Sequence, residues 1–313
     1  MSTQWDKLIQ IDRSWVDQQL EHHFKEVDKK INIKLYTVKV SGTQILPDGL
    51  AEKLHEMLPD YVYNTKEIAA MGERKAALTA NHFFGQKDPK ADGKYGELLL
   101  FALVESVLGC KMVAHKLRTL SNYKDQVKGG DGIFLGNYQI FDGRTEAAYL
   151  IGESKIMGQY SAALTDALDS VNRFCNNSSS PEFRRTELIV AKEKLFLDDA
   201  MDIDELYDRL TPTTDLYKSQ ILVHPILIMY DDMTMKNCER DNNATRDDLE
   251  ASIRNGVAKN REQIINFIKS KVAAYPEVAK VYVDFFLVPY NDVNKFRDTM
   301  YYHIHGVTYP RES

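Results

Sequence analysis

Two runs, ILVHPILIMY at 221–230 and VYVDFFLVPY at 281–290, constrain this chain more than anything else in it. A run that is apolar at nearly every position is no surface element. It needs cover on both faces, as an interior strand has in a sheet layered between helices. Both runs are strand-sized and fall short of the roughly 18–20 apolar residues that a membrane helix needs. The remaining strand signals are interspersed with helical periodicities, which predicts a mixed central sheet with flanking helices in the α/β class.

The chain has 313 residues and a net charge of −6. That length suits one large domain or two modest ones. An acidic total argues against a histone-like coater of polyanions, which needs a concentrated positive field, but leaves room for a local basic groove. Cys110, Cys175 and Cys238 are scattered, with no CxxC, which points to a reducing cytosol. The N-terminal MSTQWDKLIQIDRSW has no apolar core of a signal peptide.

Patterning predicts a polar helix over 13–29, a strand at 33–40 and helices over 48–58 and 65–84. Residues 85–96 read as a loop. A helix over 96–108 carries Glu97 and stops at Gly109. Short strands follow at 110–115, 132–135 and 147–156. The spacing of Ala163, Leu164, Ala167, Leu168, Val171 and Phe174 predicts a helix over 160–175. Further helices are expected at 183–196, 202–210, 246–271 and 291–300, with strands at 221–230 and 280–288.

The chemistry concentrates in GGDGIFLGNYQIFDGRTEAAYLIGESKI, 129–156. Asp142-Gly143 is a strong turn signal between two β-prone runs. A hairpin folded there returns Asp131 to within a residue of Ser154; an odd loop or a bulge places it across from Glu153 or Lys155. Glu153 and Lys155, two apart on one strand, share a face. Two carboxylates about 4–5 Å apart across a strand pair repel unless a cation lies between them, and hard oxygen ligands suit Mg²⁺ or Mn²⁺. The carbonyl of Ser154 offers a third ligand. A lysine beside such a metal can orient or deprotonate an attacking water, so metal-assisted phosphodiester hydrolysis is the natural reaction. The plain alternative is a solvated polar strand end, because ExK is common by chance. Against it stand the apolar run AAYLIG before the motif, the aspartate at matching height, and Glu97 on the preceding helix.

The order helix, three strands, helix, strand, with GGD at 129–131 and ESK at 153–155, resembles the PD-(D/E)xK nuclease superfamily and its αβββαβ core. The superfamily's usual proline before the aspartate is glycine here. The resemblance implies that Asp131 and Glu153 bind metal, that Lys155 assists the water and that Glu97 is the helix acid. Gln159 corresponds to a glutamine that follows the lysine in RecB-like members, although the tyrosine expected after it is Ala163. Over most of its length the chain also resembles the HamA family, nucleases of the Hachiman antiphage defence system, through KYGELLLFALVESVLG, KGGDGIFL and YLIGESKIMGQYSAALTDALDSVNRF. That resemblance implies DNA as substrate and a HamB-like superfamily 2 helicase as restraining partner. It frames the chain as one nuclease domain: an N-terminal addition (1–93), a catalytic core (94–230) and a C-terminal strand–helix addition (231–313).

Other features weigh less. Lys111, Lys116, Arg118, Lys124 and Lys128 outnumber Asp125 and form a candidate DNA-contacting flank; a solvated loop explains them equally. Residues 198–215 carry seven carboxylates against Arg209 without calcium-loop spacing, so an exposed acidic face is expected, with partner docking as the sharper reading. Asp231-Asp232 reads as a strand-end turn, and His22-His23 as surface. His303 and His305 share a face only if that stretch is extended, and no third ligand is nearby. A non-catalytic docking module and an RNase on the same scaffold are the competing functions.

Overall fold

The computed structural model describes residues 3–85, 88–115, 130–176, 195, 197, 201–240 and 243–310. After a 3-10 turn (Trp5–Leu8), the elements are α1 (Ser14–Gln19), β1 (Leu20–Asp28), β2 (Ile31–Val38), α2 (Asp48–Glu56), α3 (Leu58–Val62), α4 (Thr65–Met71) and α5 (Glu73–Phe84). Then come α6 (Lys94–Leu103), running into a π turn (Val104–Leu108), β3 (Cys110–Ala114), β4 (Gly132–Gln139), β5 (Thr145–Met157) and α7 (Tyr160–Cys175). Following these are α8 (Ile203–Arg209), α9 (Asp215–Ser219), β6 (Ile221–Asp231), α10 (Met233–Cys238), α11 (Arg246–Ala273), β7 (Tyr282–Tyr290) and α12 (Val293–His305).

Seven strands form one mixed sheet in the order β1-β2-β7-β6-β5-β4-β3. The two apolar runs are its neighbouring interior strands β6 and β7, parallel to each other and flanked by parallel β5 and β2. That placement accounts for their continuous apolarity, because helices cover both faces. α6, with α2 and α12, lies over one face, and α7 with α11 over the other. The expected αβββαβ order is present as α6, β3, β4, β5, α7, β6.

The expected helix over 13–29 stops at Gln19, and β1 follows. Leu20, Phe24 and Val27 sit at helical spacing, but the chain is extended, and a bulge between His22 and Phe24 shifts the register so that buried Leu20 pairs with Val38 and buried Phe24 with Leu35. Charged residues line this edge strand. Arg254, Arg261 and Lys269 of α11 pair with Glu21, Glu26 and Asp28 across it. The helix over 65–84 breaks at Gly72, whose φ of +81° ends α4. Gly109, at φ +65°, stops the π turn as the sequence predicts. The helix expected at 183–196 lies outside the described residues. His303 and His305 lie two apart on α12, so they point to different sides of a helix and share no face.

One irregularity lies beside the chemistry. The Ile151 carbonyl on β5 faces β6, where a parallel ladder would supply the N–H of residue 225. Residue 225 is proline and has no N–H. The Nδ1 of fully buried His224 donates to that carbonyl instead, at 3.0 Å. This fixes the ring tautomer and leaves Nε2 as acceptor, 3.7 Å from the Cys175 thiol.

Candidate active site

The site forms where β5 outruns its neighbour. The β4–β5 hairpin closes through a loop between the pair Gln139 and Thr145, an odd length, and its register ends at Gly132 opposite Gly152. Asp131 therefore stands one step beyond, at the height of Glu153. Its N–H donates to the Gly152 carbonyl at 2.8 Å. Among the described residues, 153–157 of β5 extend past the last β4 register pair, Gly132 and Gly152.

Glycine lets the backbones converge there. A Cβ on Gly130 would lie 2.5 Å from Ile151 Cγ2 and 3.4 Å from the Gly152 carbonyl. A proline at 130 has no room in this packing. A Cβ on Gly96 would lie 3.0 Å from Ser154 Oγ, so α6 rests directly on β5 and sets Glu97 beside the strand end.

Asp131 and Glu153 are both buried, at 8% and 5% exposure, which is rare for carboxylates without partners. Asp131 Oδ2 accepts from the Ser154 N–H at 2.6 Å and from Ser154 Oγ at 2.7 Å. Glu153 Oε1 pairs with Lys155 Nζ at 2.9 Å, and the lysine is half-buried. Glu97 accepts from the Tyr61 hydroxyl at 3.2 Å.

Tyr61 and His115 were not legible in the sequence. Tyr61 is fully buried on α3 and stacks on buried His115 with ring centroids 4.6 Å apart. Burial first, then the charges of Glu97 and Asp131, hold its phenol well above the ordinary range. It is a permanently neutral donor between the helix acid and the hairpin acid. No spacing in the sequence ties residue 61 to residues 97 and 131.

Other candidates fall elsewhere. Gln159 is exposed at the N-cap of α7 and makes no capping bond. Lys111 is a correction: it is buried in β3, pairs with Glu105 at 3.0 Å and donates to Gln10. Its ammonium is committed inside the protein and does not present to a DNA backbone. Lys116, Arg118, Lys124 and Lys128 lie outside the described residues. Asp231 and Asp232 accept from the N–H groups of Val293 and of Thr234, at 2.8 and 2.7 Å, as strand-end caps. In the acidic stretch, Glu205 bonds the Thr3 N–H, Trp5 and buried Arg209, tying down the N-terminus. Asp204, Asp208 and Asp215 are exposed.

Among the described residues, no three His, Cys, Asp or Glu side chains converge as a metal cluster. The oxygen donors at this strand end are the buried Asp131 and Glu153 carboxylates, at one height of the strand pair, and the Ser154 backbone carbonyl. Mg²⁺ characteristically takes one or two carboxylates and keeps several waters, so this hard-oxygen set fits it in kind.

The family model of HamA matches residues 11–304. Comparison with curated proteins found no match. Among the described residues no helix is long and apolar enough to cross a membrane.

Proposed function

The chain belongs to the HamA family, of the Hachiman antiphage defence system, and from that premise and the strand-end site we propose that it is a metal-dependent nuclease that hydrolyses DNA phosphodiester bonds. The observation that carries this reading is the burial of Asp131 and Glu153 at one height of the strand pair, with Lys155 on Glu153. Asp131 and Glu153 would hold Mg²⁺ or Mn²⁺, with the Ser154 carbonyl as a third oxygen. The metal would supply Lewis-acid stabilisation of the charge that builds on phosphorus.

The chain's own groups do the rest. Ser154 orients Asp131 through two hydrogen bonds, and Tyr61 steadies Glu97. Lys155, paired with Glu153, would neutralise charge that builds on the reacting phosphate.

A helicase partner that restrains the nuclease is part of the same reading. Exposed Ile203, Tyr207 and Leu216 beside Asp204, Asp208 and Asp215 on α8 and α9 offer an apolar and acidic surface for it.

A second reading, a non-catalytic docking subunit, draws on the same pairings, since Glu153 and Asp131 are satisfied within the protein. Supercoiled plasmid and a labelled RNA of matched length, incubated with Mg²⁺ or Mn²⁺, separate the cases. DNA loss supports the proposal, RNA loss alone reassigns the substrate, and loss of neither supports the docking subunit.

A further inference from the structure

Arg297 on α12 is a cation that the protein leaves largely unused. Its Nη2 donates to the Ile156 carbonyl at 2.7 Å, one residue beyond Lys155 on the catalytic strand. Among the described residues no other hydrogen bond holds it, so one of the five N–H donors of a guanidinium has a protein acceptor. Its Nε is buried without an acceptor. No carboxylate lies within ion-pair distance of it among the described residues. The acids nearest in charge are Asp88, Asp92 and Asp298, with the Tyr95 phenol. Asp92 is taken by Lys94, at 3.5 Å and through the Lys94 N–H.

A half-buried arginine whose buried Nε lacks an acceptor is poised to take one from outside. Its planar fork matches phosphate oxygens two at a time. Ile156 lies three residues past Glu153, about 10 Å along a strand. Among the described residues it lies past the last β4–β5 register pair.

We propose that Arg297 binds a backbone phosphate of the nucleic acid, next to the phosphate that reacts. The proposal rests on the nuclease reading above and adds to it a residue from the C-terminal helix, outside the αβββαβ core.

The test uses the full chain with a fluorescent duplex and EDTA, so that binding is read without turnover, over a series of salt concentrations. Arg297→Gln keeps a donor for the Ile156 carbonyl and removes the charge. Arg297→Lys keeps the charge and removes the fork. Losing one phosphate contact should reduce the slope of log affinity against log salt by about 0.9 for duplex DNA. We expect that change in Arg297→Gln, with affinity down roughly tenfold, and a retained slope in Arg297→Lys. With Mg²⁺, KM of Arg297→Gln should rise more than kcat falls, a split that a merely structural role would not give.

A wild-type slope and KM in folded Arg297→Gln overturns the proposal and leaves the nuclease reading standing. Unfolding of both variants assigns the guanidinium to tying α12 to β5 and overturns it too. Arg297-dependent binding without cleavage by the wild type upholds the phosphate site and removes the nuclease. Neither binding nor cleavage by the wild type removes both.

Discussion

Replacing His224 tests whether a side chain completes the sheet where Pro225 interrupts it. His224→Leu keeps an apolar side chain of similar bulk in a fully buried position and removes the Nδ1–H that reaches the Ile151 carbonyl. An orphaned buried acceptor costs about 1–3 kcal/mol. The Cys175 thiol loses its acceptor as well, a smaller term. Pro225→Val gives residue 225 an N–H aimed at the same carbonyl, so His224→Leu should cost less in that background. The coupling between the two sites should be about 1–2 kcal/mol, within the range for residues in contact. Urea unfolding of the four proteins, followed by circular dichroism, measures it. A coupling of zero within the usual additivity error of about 0.5 kcal/mol would refute the substitution of ring for backbone donor.

Three further outcomes follow from the geometry. Ser154→Ala removes the hydroxyl bond to the buried Asp131 carboxylate and should cost about 1.5–3 kcal/mol, the range for hydrogen bonds to charged groups, measured by urea denaturation. Gly130→Ala drives a Cβ into Ile151 and should cost about 1–3 kcal/mol by overpacking, with nuclease activity falling further because Asp131 moves with its backbone. His23, pushed down to about 4 chiefly by burial, is neutral when folded and protonates near 6.5 when unfolded. Its contribution is therefore complete above pH 6.5 and lost as pH falls toward 4. Asp60, pushed up to about 6 by burial, acts in the opposite sense, so the stability difference between wild type and His23→Gln across that range isolates the histidine.

The candidate hairpin was legible because its cues are local. Asp142-Gly143 announces the turn, β-prone runs mark both strands, and an odd loop was among the registers that the sequence allowed. The observed register takes that option and sets Asp131 at the height of Glu153. Strands β6 and β7 were legible because continuous apolarity leaves few alternatives. β1 was not, because i, i+4 apolar spacing fits a strand as well as a helix, and pairing with β2 decides between them. Lys111 misled for a related reason. A basic stretch downstream in sequence masks the fact that its first member is already in β3, under the Trp5–Leu8 turn and beside Glu105. Tyr61 meets Glu97 and His115, and Arg297 meets the Ile156 carbonyl, from distant segments, and these contacts exist only after the sheet has assembled.

Cleavage by Glu153→Gln tests the central claim most directly. The substitution keeps the size of the side chain and removes the charge that pairs with Lys155 and would hold the metal. The account predicts that wild-type chain degrades supercoiled plasmid only with Mg²⁺ or Mn²⁺. It predicts that Glu153→Gln, folded by circular dichroism, loses at least 100-fold of that activity, about 2.7 kcal/mol in the barrier. Wild-type rates in folded Glu153→Gln would contradict it.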